Sequence, residues 1–86
     1  MLPGELRRIR FEFNGPSVQA ILDKIPTAKV IGKNGKSHII EAETFGKGIN
    51  MFLLSQGHYV KALSPVSFVE EMQTEIGLML KNYNDK

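Results

Sequence analysis

Apolar and polar residues alternate strictly over the first part of the chain. Ile9, Phe11 and Phe13 fall on one side of a pleat, and Arg8, Arg10 and Glu12 on the other. A period of two marks a half-buried strand, here Leu6 to Phe13. Asn14-Gly15-Pro16 breaks that strand and starts a helix, because proline is well tolerated at the first helical position. Val18, Ile21, Leu22 and Ile25 then recur at i, i+3, i+4 and i+7, a stripe that must lie against something, and Pro26 closes the segment.

The next unit is Ala28 to Gly32, then Asn34-Gly35, then Lys36 to Phe45. Asn-Gly between two β-rich runs predicts a hairpin, since both residues adopt positive φ readily. A two-residue turn at Asn34-Gly35 puts Ile31 with His38, Ile40, Ala42 and Thr44 on the core face, and Val30 with Ile39, Glu41 and Glu43 on the other. The second face mixes apolar and acidic side chains. A partner surface can cover it, which makes Val30 and Ile39 candidate interface residues.

Gly46-Lys47-Gly48 reads as a loop. Ile49, Phe52 and Leu53 follow at helical spacing as far as Gly57, a natural left-handed stop. Tyr59 to Leu63 is a brief strand, and Ser64-Pro65 caps and opens a last helix. The apolar stripe of that helix runs Phe68, Val69, Met72, Ile76, Met79, Leu80 and Tyr83, with Glu70, Glu71 and Glu75 toward the positive end of the dipole and Lys81 toward the negative end. The order of elements is the split βαβ, or ferredoxin-like, arrangement: an α+β fold, βαββαβ, with a four-stranded antiparallel sheet, two helices on one face and an added C-terminal helix. That last helix needs a surface, either the open face of the sheet or a groove at its edge or between domains. There is no internal repeat and no low-complexity tract.

At 86 residues the chain is one small domain that buries only about 60 to 65 per cent of its unfolded surface. The absence of cysteine excludes disulfides and thiolate metal sites, and stability must come from packing or from partner surfaces. The same absence of cysteine fits a reducing cytoplasm, and no apolar run approaches the roughly 20 residues of a membrane helix, so a soluble protein with no membrane partner is expected. Residues 1–5 read as a linker, 6–84 as the domain and 85–86 as a tail, in a chain cut at a domain boundary. A formal charge of +2 is too small to announce nucleic-acid binding by this domain.

Residues able to carry chemistry are sparse. His38 and His58 have no cysteine or carboxylate at a ligand spacing, so structural or surface roles are expected and no metal is. Ser17, Ser37, Ser55, Ser64 and Ser67 sit where caps and turns need them, outside any Gly-x-Ser-x-Gly elbow. Glu41 and Glu43 share a strand face and can form a carboxylate pair of raised pKa, though a solvated strand face is the favoured reading. The glycines around the hairpin serve turns rather than a phosphate cradle. No catalytic residue and no cofactor is expected. Arg7, Arg8 and Arg10 form the dense cationic cluster, and Arg8 and Arg10 point the same way. They are candidates for contacting phosphates or acidic groups of an effector or partner, against the simpler reading that they pair with Glu41 and Glu43 across the sheet. The run Lys36 to Ala42 lacks the basic-glycine-aromatic pattern with which sheets of this topology read single-stranded RNA.

Several landmarks occur in order: the alternating strand Ile9 to Phe13, the helix ending Ile25-Pro26-Thr27, the strand Ile39 to Gly46, the helix Phe52-Leu53-Leu54-Ser55-Gln56-Gly57, the strand and turn Val60-Lys61-Ala62-Leu63-Ser64-Pro65, and a closing helix ending at Tyr83. Over about Leu6 to Tyr83 the chain resembles the C-terminal extension (WCX) domain of bacterial WYL-domain, helix-turn-helix transcriptional regulators. Members of that family carry an N-terminal winged helix that binds operator DNA and a WYL domain that senses a ligand, often nucleic acid or a nucleotide. Neither lies within this sequence, and without a Trp-Tyr-Leu triad no WYL ligand residue carries over. The resemblance implies a ferredoxin-like, non-enzymatic domain whose partners are the WYL and helix-turn-helix domains of its own chain and a second protomer. It acts in dimer contacts or in closing the sensor site, and touches operator DNA only through the N-terminal domain. The alternative is a free-standing small-molecule-binding domain of the amino-acid-sensing (ACT-like) kind, which shares the topology.

Overall fold

A computed structural model of the chain describes residues 6–45 and 48–84. Strand β1 (Leu6–Phe13) leads to helix α1 (Val18–Lys24), the hairpin β2 (Lys29–Asn34) and β3 (Ser37–Phe45), helix α2 (Gly48–Leu54), strand β4 (Val60–Ser64) and helix α3 (Val66–Asn84). The expected linker 1–5, tail 85–86 and residues 46 and 47 of the expected loop Gly46-Lys47-Gly48 lie outside the described residues, and Gly48 opens α2. The four strands form one antiparallel sheet in the order β2-β3-β1-β4. This is the ferredoxin-like α+β arrangement, with α3 added.

The alternation of β1 sets the two faces of the sheet. Ile9, Phe11 and Phe13 lie opposite Ala42, Ile40 and His38 of β3, and they join Ile21 and Ile25, Leu53, Phe68 and Met72 in one buried cluster. All three helices therefore contribute to the core on the same side of the sheet. The opposite side carries Arg8, Arg10 and Glu12 beside Glu43, Glu41 and Ile39. The expected core positions Ile40, Ala42 and Thr44 are buried, because the period of two leaves them no other face.

Helix α1 begins at Val18, two residues later than a start at Pro16 implies. Ser17 is the N-cap, and its hydroxyl accepts from Ala20 N–H at 3.3 Å, so the capping hydroxyl rather than Pro16 fixes the first turn. Gly15 allows the chain to fold back over Phe13: a Cβ there would stand 2.4 Å from the ring.

The hairpin register differs from the expected one. Asn34 pairs with Ser37, so the turn is Gly35-Lys36, and Gly35 takes the positive φ of 65°. A bulge between Val30 and Gly32 then adds Ile31 as an extra residue. Val30 consequently sits opposite Ile40, and Ile39 faces Gly32. The shared face assigned to Val30 and Ile39 is corrected: they occupy opposite sides of the sheet, because one inserted residue reverses every side chain beyond it. Ile31 is 44% exposed rather than a core residue.

Gly57 has φ 67° and ends the α2 segment as expected, followed by a short 3₁₀ turn over Gly57–Tyr59. Asn14 N–H donates to Tyr59 carbonyl at 3.0 Å and ties the end of β1 to the entry of β4. Helix α3 does not cross the open sheet face. It packs beside β4 and α2 through its first half, where Phe68 and Met72 are buried, whereas every residue from 76 to 84 is exposed. The stripe thus covers the core only as far as Met72.

Candidate functional site

Two polar constellations stand out, one on each side of the sheet. On the open side, consecutive outward positions of β1 meet consecutive outward positions of β3. Arg8 Nη2 donates to Glu43 Oε2 at 3.0 Å, and Arg10 Nε donates to Glu41 Oε2 at 2.9 Å. Lys29 Nζ approaches the other Glu41 oxygen at 3.9 Å, and Asn34 Nδ2 donates to Glu12 Oε2 at 3.4 Å. The register places Arg8 opposite Glu43 and Arg10 opposite Glu41, so the pleat itself brings these charges together. Glu41 and Glu43 are partners of guanidinium groups, not a like-charge pair. The Glu43 carboxylate, with Glu41 beside it, holds the Arg8 guanidinium above its ordinary pKa.

These pairs do not exhaust the arginines. Arg8 and Arg10 are half exposed or more. Each uses one of its five N–H donors in the hydrogen bonds just described, and the remaining donors can meet an anion or a planar acceptor. A cleft of about 140 Å³ lies beside them, between Arg8, Thr27, Lys29 and the Glu41 to Glu43 stretch of β3. Thr27 builds its wall: its hydroxyl donates to Glu43 carbonyl and accepts from Glu43 N–H at 3.0 Å. The hydroxyl stands in for a strand neighbour where the β2–β3 ladder, whose last pair is Lys29 with Glu41, has stopped.

On the covered side, Arg7 forms a two-pronged contact with Glu71 of α3, Nη1 and Nη2 each reaching a separate carboxylate oxygen at 3.0 Å. Asn50 Nδ2 adds a bond to Glu71 Oε1 at 2.8 Å, and the Arg7 guanidinium lies 5.6 Å from the centre of the Phe68 ring. Both charged side chains are about four-fifths buried, at 19% and 21% exposure. The cluster locks α2 and the first half of α3 against the start of β1. Beside it an open groove of about 470 Å³ runs between Asn50 and Met51 of α2 and Glu70, Glu71, Thr74 and Glu75 of α3.

The three arginines that cluster in the sequence divide between the two sides of the sheet: Arg8 and Arg10 lie on the open side and Arg7 on the covered side. The signal lies in parity, for Arg7 shares the odd positions of Ile9, Phe11 and Phe13 and so belongs to the covered face. A cation at such a position requires a partner. Of the two candidate interface residues, Val30 is 40% exposed at the β2 edge of the covered side and Ile39 is half-buried on the open side. His38 lies in β3 opposite Phe13, and the His58 ring stacks at a tilt on Tyr59 at 4.6 Å. Among the described residues no group of three or more histidines and carboxylates is placed to hold a metal ion, and no helix is long and apolar enough to cross a membrane. No family model, curated protein or solved structure matches the chain.

Proposed function

We propose that this chain is the C-terminal regulatory and dimerisation domain of a WYL-type, DNA-binding transcriptional regulator of the bacterial cytoplasm, and that it assists effector sensing by a WYL domain of the same protein. The observation that carries the reading is the order and chemistry of the second half of the fold. The helix containing Phe52-Leu53-Leu54 stops at a left-handed Gly57, a short strand Val60–Ser64 follows, and Pro65 leads into a closing helix. That order resembles the landmark series of the extension domain, and the ferredoxin-like sheet it sits on is the fold that resemblance implies. In this reading the domain has no catalytic role and needs no cofactor.

Arg8 and Arg10 are the residues assigned to an anionic effector or an acidic partner surface. Their ion pairs with Glu43 and Glu41 hold the guanidinium planes in place, and their free N–H donors face solvent on the open side of the sheet. A nucleotide or nucleic-acid phosphate fits that arrangement, and the neighbouring carboxylates keep affinity low when the domain is alone. Operator DNA is bound by the winged helix, not by this surface.

The test is an operator-binding titration of the full-length regulator with and without effector. Replacing Arg8 and Arg10 together by Ala should weaken the effector response at least several-fold while operator affinity without effector stays unchanged. An unaltered effector response removes the two arginines from the sensing role. Submicromolar, salt-resistant binding of single-stranded DNA by the isolated domain would overturn the assisting role itself, since counterion release makes weak phosphate contacts fade toward physiological salt.

A further inference from the structure

Helix α3 changes character halfway along its length. Phe68 and Met72 are buried, and the same stripe continues as Ile76, Met79, Leu80 and Tyr83, spaced i, i+3, i+4 and i+7. Those four are between 47% and 86% exposed, and no residue from 76 to 84 is covered by the rest of the domain. About 13 Å of helix therefore stands clear of the body with a continuous apolar side facing water. Such a stripe is what a helix presents to another helix.

We infer that α3 is a self-association element: the projecting halves of two copies pair antiparallel, stripe against stripe, around Met79 and Leu80. Three features favour a second copy. The patch is self-complementary under a two-fold axis, as an isologous contact requires. Covering the four side chains from both copies removes roughly 1,000 Å² of surface, near the lower bound for specific association, so the dimer is reversible and not obligate. Antiparallel pairing also opposes the two helix dipoles. The inference specifies the surface behind the dimerisation part of the proposed function and rests on that part alone.

Sedimentation equilibrium of the 86-residue chain from about 1 µM to 1 mM tests it. The chain should show a monomer–dimer equilibrium in this range, with Kd raised at least tenfold by Ile76→Lys or Met79→Lys. Leu78→Lys is the control. Leu78 is 55% exposed but points away from the stripe, and its substitution should leave Kd unchanged. Because the chain has no cysteine, Met79→Cys should cross-link on oxidation and Tyr83→Cys should not. A monomer throughout the range, a dimer indifferent to Ile76 and Met79, or efficient cross-linking through Tyr83→Cys would each overturn the inference. None of these outcomes bears on the effector response of the full-length regulator, so the two readings fail separately.

Discussion

Arg7→Met removes a charge from the covered side of the sheet while keeping an unbranched stem over Phe68. Its cost follows from what the guanidinium does there. Two charge-assisted hydrogen bonds of 3.0 Å reach both oxygens of Glu71, which also accepts from Asn50 at 2.8 Å. A fully exposed pair would contribute about 0 to 1 kcal/mol, and breaking a fully buried one costs about 3 to 5 kcal/mol. With each side chain about four-fifths buried, the expected loss lies between those limits, at about 2 to 3 kcal/mol. Glu71→Gln should cost less, since the amide oxygen still accepts one bond from Arg7. The double replacement Arg7→Met with Glu71→Gln should cost less than the sum of the two single replacements, by about 1 to 3 kcal/mol, because neither charge is then left in a desolvated site. Urea melts at neutral pH supply all three values, and the Arg7→Met loss should persist at high salt because a covered pair is poorly screened. Losses below about 0.5 kcal/mol for Arg7→Met and Glu71→Gln alike would refute the reasoning.

Phe68→Ala should destabilise by about 3 to 5 kcal/mol, a large part of the stability of so small a domain, whereas Leu80→Ala, 58% exposed, should change a dilute-solution melt by less than about 0.5 kcal/mol. Gly15→Ala should cost about 1 to 3 kcal/mol in the same assay, because its Cβ would press 2.4 Å from the Phe13 ring and one of the two must move. Thr27→Val should cost about 1 kcal/mol and raise the hydrogen-exchange rate of the Glu43 amide, which loses its acceptor.

How much of this fold the chain discloses depends on how local each determinant is. The faces of β1, the stop at Gly57 and the βαββαβ order follow from short-range pattern, and the structure has them as expected. The pairing of Arg8 with Glu43 and of Arg10 with Glu41 also follows once β1 and β3 are neighbours, because alternation dictates which side chains meet. The bulge at Ile31 leaves no such trace. A single extra residue satisfies the same composition and the same turn chemistry, yet it parts Val30 from Ile39. Asn34-Gly35 misleads for a related reason: glycine alone takes the positive φ, so the turn moves one residue on. The burial of Arg7 was encoded in its parity with Ile9 but was obscured by two exposed arginines next to it. Along α3 the periodicity reports an apolar stripe and is silent about what covers it, so Met72 and Leu80 look alike in the sequence and differ in the structure.

The functional account rests on one relationship, that this domain is the end of a regulator whose sensing and DNA-binding parts precede it. Determining the coding sequence immediately upstream of Met1 tests it most directly. The account predicts an in-frame WYL domain and, before it, a winged helix-turn-helix. A stop codon that leaves the domain free-standing, or an in-frame metabolic enzyme, would contradict the account and favour an ACT-like small-molecule sensor.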